Sequence, residues 1–150
     1  MKLHLGCEKK ILDGWTNLDV YPHDGVDIID DAGVLTKIKD NSCDIIYASH
    51  LLEHFSRKDT RSVLQVWYSK LKSGGTLRIA CPDFGKVVER YLKTNNIEEV
   101  RGLVVGGHKN PFDTHGMIFD KKDLSNMLKS VKFKNIIEWN WRETDHSDTD

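Results

Sequence analysis

A chain of 150 residues has the length of about one domain, and its 39% apolar and 30% charged residues describe an ordinary globular protein with no apolar run near the roughly 20 residues that cross a bilayer. A formal net charge of -1 supplies no positive field to gather phosphates, which sets nucleic acid aside as a partner. Cys7, Cys43 and Cys81 read as reduced thiols in apolar settings, and Met1-Lys2 runs into Leu3 and Leu5 without a secretory-type apolar stretch, so the expected compartment is the cytoplasm and no membrane is expected as a partner.

In chain order, short apolar or β-branched runs bounded by Gly, Asp, Asn or Pro predict strands at Lys2 to Leu5, Thr16 to Val20, Val26 to Ile29, Asp44 to Ala48 and Thr76 to Ala80. Only nine residues, Cys7 to Trp15, join the first two. A parallel crossover usually needs a dozen or more, so either this link is a tight loop with at most one helical turn, or one strand is short. Val63, Leu64, Trp67 and Leu71 fall at helical spacing, with Ser56 and Asp59 as a capping pair and Gly74 as a left-handed stop. Beyond Cys81-Pro82, Asp83 caps an expected helix with Phe84, Val87, Val88, Tyr91 and Leu92 on one face, and a shorter helix runs from Ile97 to about Val105 before Gly106-Gly107. The loop HKNPFDTHGMIF is long and rich in Gly, Pro, His and Asp, which marks it as functional. Asp120 caps a last helix with Leu124, Met127, Leu128 and Val131 inward, a final strand is expected from Phe133 to Trp141, and the acidic TDHSDTD end is expected to fray.

Strand and helix in alternation predict one domain over residues 1–150, an α/β Rossmann-like three-layer sandwich with a mainly parallel sheet. Ligands of such sheets lie beyond the carboxyl ends of the strands, so Gly6, Asp19, Asp31, Ser49 and Pro82 carry the functional weight. Gly6 lets backbone approach a ligand, and Asp19 ends its strand where an acid accepts from a ribose diol; each also serves as ordinary turn chemistry. Asp31 and Ala32 offer a carboxylate and an amide to an adenine edge. His108, Asp113 and His115 lie on the long loop, where a histidine can act as a general base. The run HLLEH matches an inverted zinc-protease pattern, with His50 and His54 as ligands and Glu138 as a distant third. That pattern needs His50 inside a helix, whereas here it abuts a strand end, so no metal is expected.

Taken in order, LHLGC, DGWTNLD, VDIIDDAGVL, NSCDIIYASHLLEH, VLQVWYSKLKSGGTLRIACPDF and GGHKNPFDTHGMIFD resemble the class I S-adenosylmethionine-dependent methyltransferases, in particular the type 11-like family, from Lys2 to about Trp141. The resemblance implies S-adenosylmethionine as cofactor, with its methionine part near Gly6, Cys7 and Glu8, ribose at Asp19, adenine near Asp31 and Ala32, and the reactive methyl near Ser49 and His50. It implies a small-molecule or saccharide-type acceptor, with His115 as first candidate base and Asp113 or His50 behind it, and it places His54 in the family's helix.

The chain departs from that pattern at His4, where the family has an acidic residue, and at Glu8, where it has its second glycine. If Glu8 needs a positive φ it costs about 1 to 2 kcal/mol; at an ordinary φ its carboxylate can face the cofactor's ammonium group. The family's sheet continues past the last strand read here, so a sheet trimmed at its C-terminal strand is expected, with a second copy covering the open edge as a homodimer. The rival readings are a methyltransferase-like binding module without catalysis and a zinc hydrolase built on HLLEH.

Overall fold

The computed structural model describes residues 1–144. The acidic end from residue 145 onward, with its expected fraying, lies outside the described residues. Strands β1 (Lys2–Leu5), β2 (Thr16–Asp19), β3 (Ile28–Ile29), β4 (Cys43–Ser49) and β5 (Leu71–Ala80) form one parallel sheet in the order β3-β2-β1-β4-β5. Helices α1 (Thr60–Lys70), α2 (Phe84–Thr94), α3 (Glu98–Val105) and α4 (Lys121–Ser130) complete the α/β architecture. The chain builds outward from β1 through β2 to β3 and then crosses back to β4 on the other side. The crevice of the sheet therefore opens between the carboxyl tips of β1 and β4.

Leu3, Leu5, Leu18 and Ile46 project from one sheet face onto Leu64 and Trp67 of α1, and all six are fully buried. The opposite face carries a register row of Asn17, His4 and Tyr47. Its cover is the short Cys7–Trp15 link, which contains no helix and is the tight-loop solution to the spacing problem. Asn17 holds that loop: its Oδ1 accepts from Leu12 N at 3.0 Å and its Nδ2 donates to Leu12 O at 3.1 Å. Leu12 and Trp15 then pack on Tyr47, and Lys2 Nζ lies 5.3 Å from the Trp15 ring centre. His4, at the position where the resemblance expects an acid, is 3% exposed, stacked on Tyr47, with Nδ1 3.2 Å from Asn17 Oδ1.

Several local expectations are corrected. β3 shrinks to two residues because Gly25 turns with φ +88° and the Asp27 carboxylate takes the Asn17 amide at 2.7 Å in place of a ladder bond. Gly74 stops no helix; α1 passes directly into β5, and Gly74 (φ +79°) turns the chain within a bulge where Cys43 faces Leu71 but Ile45 already faces Thr76. Asp83 and Asp120 do cap α2 and α4, accepting from Gly85 N and Asp123 N. The apolar face of α2 is not a buried stripe: only Val87 is buried, while Phe84, Val88, Tyr91 and Leu92 remain exposed, because the α2–α3 hairpin reaches the core only through Val87 and Val100. The strand expected from Phe133 to Trp141 does not form. Lys132 (φ +79°) and Asn135 (φ +53°) break the extended run, and the segment instead packs Phe133 and Ile136 on the core and donates Trp139 Nε1 to Ile79 O. Among the described residues no helix is long and apolar enough to cross a membrane.

Burial determines how the cysteines behave. Cys7 is pushed up to about 12 by desolvation and by Asp19, and Cys81 to about 12 by desolvation and by Glu53. Cys43 is raised by burial as well. A thiol of pKa about 12 is about one part in 10⁴ thiolate at pH 8, against about a quarter for an ordinary cysteine. Native protein at pH 8 should therefore react with a disulfide reagent far more slowly than protein in guanidinium, where all three thiols should titrate promptly. Prompt reaction of the native protein would contradict the burial described here.

Candidate functional site

The lips of the crevice are the residues just past β1 and β4, and their backbone is strained. Gly6 has φ +64°, Glu8 +45° and His50 +49°. The last two are left-handed without being glycine, a conformation that persists only where surrounding structure imposes it and that concentrates at functional sites. Leu51 lies across the gap, so that a Cβ built on Gly6 would stand 2.9 Å from Leu51 Cδ1. Cys7 is buried beneath the loop and Glu8 projects outward.

Asp19 is 5% exposed and fixes this loop: its Oδ2 accepts from Glu8 N at 2.8 Å and its Oδ1 from Tyr21 N at 2.9 Å. Each carboxylate oxygen keeps a second acceptor site. Val20, Tyr21 and Ile29 form an exposed apolar shelf beyond β2 and β3. Tyr21 meets Phe112 of the long loop edge to face at 5.7 Å. Asp31 is exposed and makes a turn through Oδ1 to Gly33 N, while Ala32 is buried and its carbonyl accepts from Trp67 Nε1 at 2.8 Å. Gly6, Cys7, Glu8, Asp19, Ser49 and His50 thus share the carboxyl end of the sheet, with Asp31 and Ala32 just past β3.

Asp113 is engaged within its own loop. Its carboxylate accepts from Gly107 N and Lys109 N, and the Lys109 amide first among these contacts holds it below the usual carboxylate range. His115 sits where the long loop folds back: Gly116 N and Met117 N both donate to Glu53 O, and a Cβ on Gly116 would stand 2.7 Å from Phe55 O. Burial lowers the pKa of His115 below its ordinary value. The HLLEH run forms no zinc helix. His50 lies outside the single 3₁₀ turn Leu52–His54, and Glu138 is exposed and paired with Lys121 at 2.7 Å. Sequence reasoning met Glu53 and His54 only inside the HLLEH pattern, with His50 as their partner, whereas the fold brings both to His115. That pairing spans some 60 residues, and beyond the HLLEH run only the density of histidine in the long loop signalled it.

A broad concave region lies elsewhere, along the β5 edge of the sheet against residues 132–140. It is the space beside an edge strand, and it collects few of the residues at the carboxyl tips.

Residues 17–79 match the family model described as a methyltransferase domain, of type 11. Solved structures agree along most of the chain. A SAM-dependent methyltransferase of Archaeoglobus fulgidus superposes with TM-score 0.62 at 18% identity, over 89% of this chain and 61% of that one. This is a class I methyltransferase fold. A SAM-dependent methyltransferase of Methanosarcina mazei matches with TM-score 0.62 at 15% identity, over 89% of this chain and 79% of the other. One from Thermotoga maritima gives 0.61 at 18%, over 89% and 64%. The chain thus spans about three fifths of the length of the first and third. No curated protein matches it by sequence. The order β3-β2-β1-β4-β5 fits this methyltransferase fold, with the strained lips at its switch point.

Proposed function

We propose that the protein binds S-adenosylmethionine across the carboxyl ends of β1, β2 and β4 and transfers its methyl group to a small-molecule or saccharide-type acceptor. The observation that carries this reading is the clustering of left-handed backbone at Gly6, Glu8 and His50 around the β1–β4 crevice. The residues fit the cofactor: Gly6 offers backbone without a Cβ, Asp19 retains acceptor sites for a ribose diol, and the Val20-Tyr21 shelf is apolar enough for an adenine face. When bound, the cofactor supplies a methyl on a sulfonium leaving group. The chain's own task is then to orient the acceptor in line with that methyl, to exclude water and to take up a proton. His50, at the β4 tip and 61% exposed at its side chain, is the proton acceptor best placed for this, and Phe112 and Tyr21 are the aromatic cover.

Isothermal calorimetry with S-adenosylhomocysteine tests the reading. One-to-one binding in the micromolar range is expected; no heat at millimolar ligand would favour the rival of a binding module without catalysis. Glu8 adds a finer expectation. Its φ of +45° realises the strained alternative of the sequence analysis, and its amide already holds Asp19. Replacement by glycine relieves about 1 to 2 kcal/mol of left-handed strain and adds about 0.5 to 1 kcal/mol of unfolded-chain entropy. Glu8→Gly should therefore be more stable by up to about 1.5 kcal/mol in urea melts and should bind the cofactor at least as well. Weaker binding would make the Glu8 carboxylate a ligand.

A further inference from the structure

Glu53 is the most anomalous polar residue in the fold. Its side chain is 1% exposed, and neither carboxylate oxygen has a hydrogen-bond partner. His50 Nδ1 approaches Oε1 to 3.4 Å without hydrogen-bond geometry. Leaving a buried carboxylate unsatisfied costs several kcal/mol, so a group of this kind ordinarily has a cation or donors in front of it. In front of it, besides His50, stand two further imidazoles. Ligand atoms of Glu53, His54 and His115 all lie within 4.8 Å of one another, and the two rings meet edge to face with centres 4.8 Å apart.

The two rings are oriented from behind. His54 Nδ1 lies 3.2 Å from Thr114 O and His115 Nδ1 lies 3.2 Å from Leu103 O. A carbonyl only accepts, so both Nδ1 atoms carry a proton, and Nε2 is the atom of each ring left to ligate an ion. Histidines that ligate metals are held in this way by backbone carbonyls. The long loop that delivers His115 is itself fastened to the Glu53 carbonyl through Gly116 N and Met117 N. A cavity of about 10 Å³ lined by Glu53, His115, Leu103, Met117 and Phe119 adjoins the cluster, about the room of one water-sized sphere.

We propose that Glu53, His54 and His115 form a binding site for a divalent first-row transition ion, with zinc as its first candidate. Two imidazoles and one carboxylate suit such ions, whereas magnesium and calcium favour oxygen ligands throughout. Three protein ligands leave a coordination position open, as in zinc sites that hold a water or a substrate oxygen. At bond lengths of about 2.0 to 2.1 Å, tetrahedral ligands stand roughly 3.3 Å apart, so side-chain shifts of about 1 Å close the present arrangement around an ion. This site differs from the HLLEH zinc pattern, since His50 and Glu138 are not its ligands.

The test uses the full chain, stripped with a chelator and titrated with zinc alone in the absence of cofactor, so that its result is independent of methyl transfer. One ion per chain with micromolar or tighter affinity is expected, together with a higher Tm and intense visible absorption bands when cobalt replaces zinc. Glu53→Gln and His115→Ala should each weaken binding by at least about tenfold. Glu53→Gln also removes the buried charge, so its Tm in chelator should equal or exceed that of the parent, which separates lost binding from lost folding. His23→Ala, remote in sequence from all three ligands, should bind as the parent does. Binding below one equivalent, binding that survives both ligand variants, or binding lost in His23→Ala would overturn the proposal.

Discussion

Gly6→Val is expected to weaken binding of S-adenosylhomocysteine by about 30-fold or more. Two effects converge on this position. At φ +64° a side chain adopts a left-handed conformation that costs about 1 to 2 kcal/mol, and a β-branched residue is a genuine outlier there. The new Cβ would also stand 2.9 Å from Leu51 Cδ1 and 3.2 Å from Cδ2, so Leu51 must move. Leu51 can swing at small cost, but the added methyl groups then occupy the crevice lip against which the methionine part is proposed to lie. A loss of about 2 kcal/mol or more in binding corresponds to a factor of about 30 or more. Gly14→Ala is the matching control. Gly14 has φ +76°, and nothing lies within 4 Å of its built Cβ. It should show the same backbone strain in urea melts while keeping the parent's affinity. Equal losses of affinity in both variants would mean that general destabilisation, and not the crevice, accounts for the effect.

How much of this was legible in the sequence depends on the range of the signal. The parallel strands were readable because each is a short apolar or β-branched run between turn-forming residues, and the caps at Asp83 and Asp120 because capping is a contact over two or three residues. Helical spacing identified α2 but not the direction of its apolar face. That face is only partly covered by its neighbours, and no local rule encodes how much of a face a neighbour covers. The broken last strand was hidden by composition: FKNIIEWNW is rich in strand formers, yet the left-handed turns at Lys132 and Asn135 decide its path. At the site, Gly6 and Asp19 were legible from their places at strand ends. The second task of Asp19, holding the Glu8 and Tyr21 amides, was not, because it depends on the tight loop through Asn17. The meeting of Glu53 and His54 with His115 was hidden most completely, since a contact over some 60 residues leaves no periodic trace.

The same logic makes Trp67 the residue through which core and site are most strongly coupled. It is fully buried in α1, meets Phe55 edge to face at 6.4 Å, and donates Nε1 to the carbonyl of Ala32 at 2.8 Å. Trp67→Ala should cost about 3 to 5 kcal/mol, the range for a large aromatic removed from a core, out of a total stability of about 5 to 15 kcal/mol. At about 2 to 4 °C per kcal/mol for a chain of this size, that is a fall of roughly 6 to 20 °C in Tm. Trp67→Phe isolates the hydrogen bond. It keeps most of the apolar contact but leaves the Ala32 carbonyl without its donor, for which about 1 to 3 kcal/mol is expected. Ala32 is also where the resemblance puts the adenine edge, and the indole hydrogen bond fixes its carbonyl beside the buried Leu35. The phenylalanine variant should therefore remain folded, yet bind S-adenosylhomocysteine more weakly by about three- to tenfold, a change of about 0.7 to 1.4 kcal/mol. Parent-like affinity in a folded but destabilised Trp67→Phe would mean that the adenine does not rest on the Ala32 loop, and would move that end of the cofactor toward the Val20-Tyr21 shelf alone.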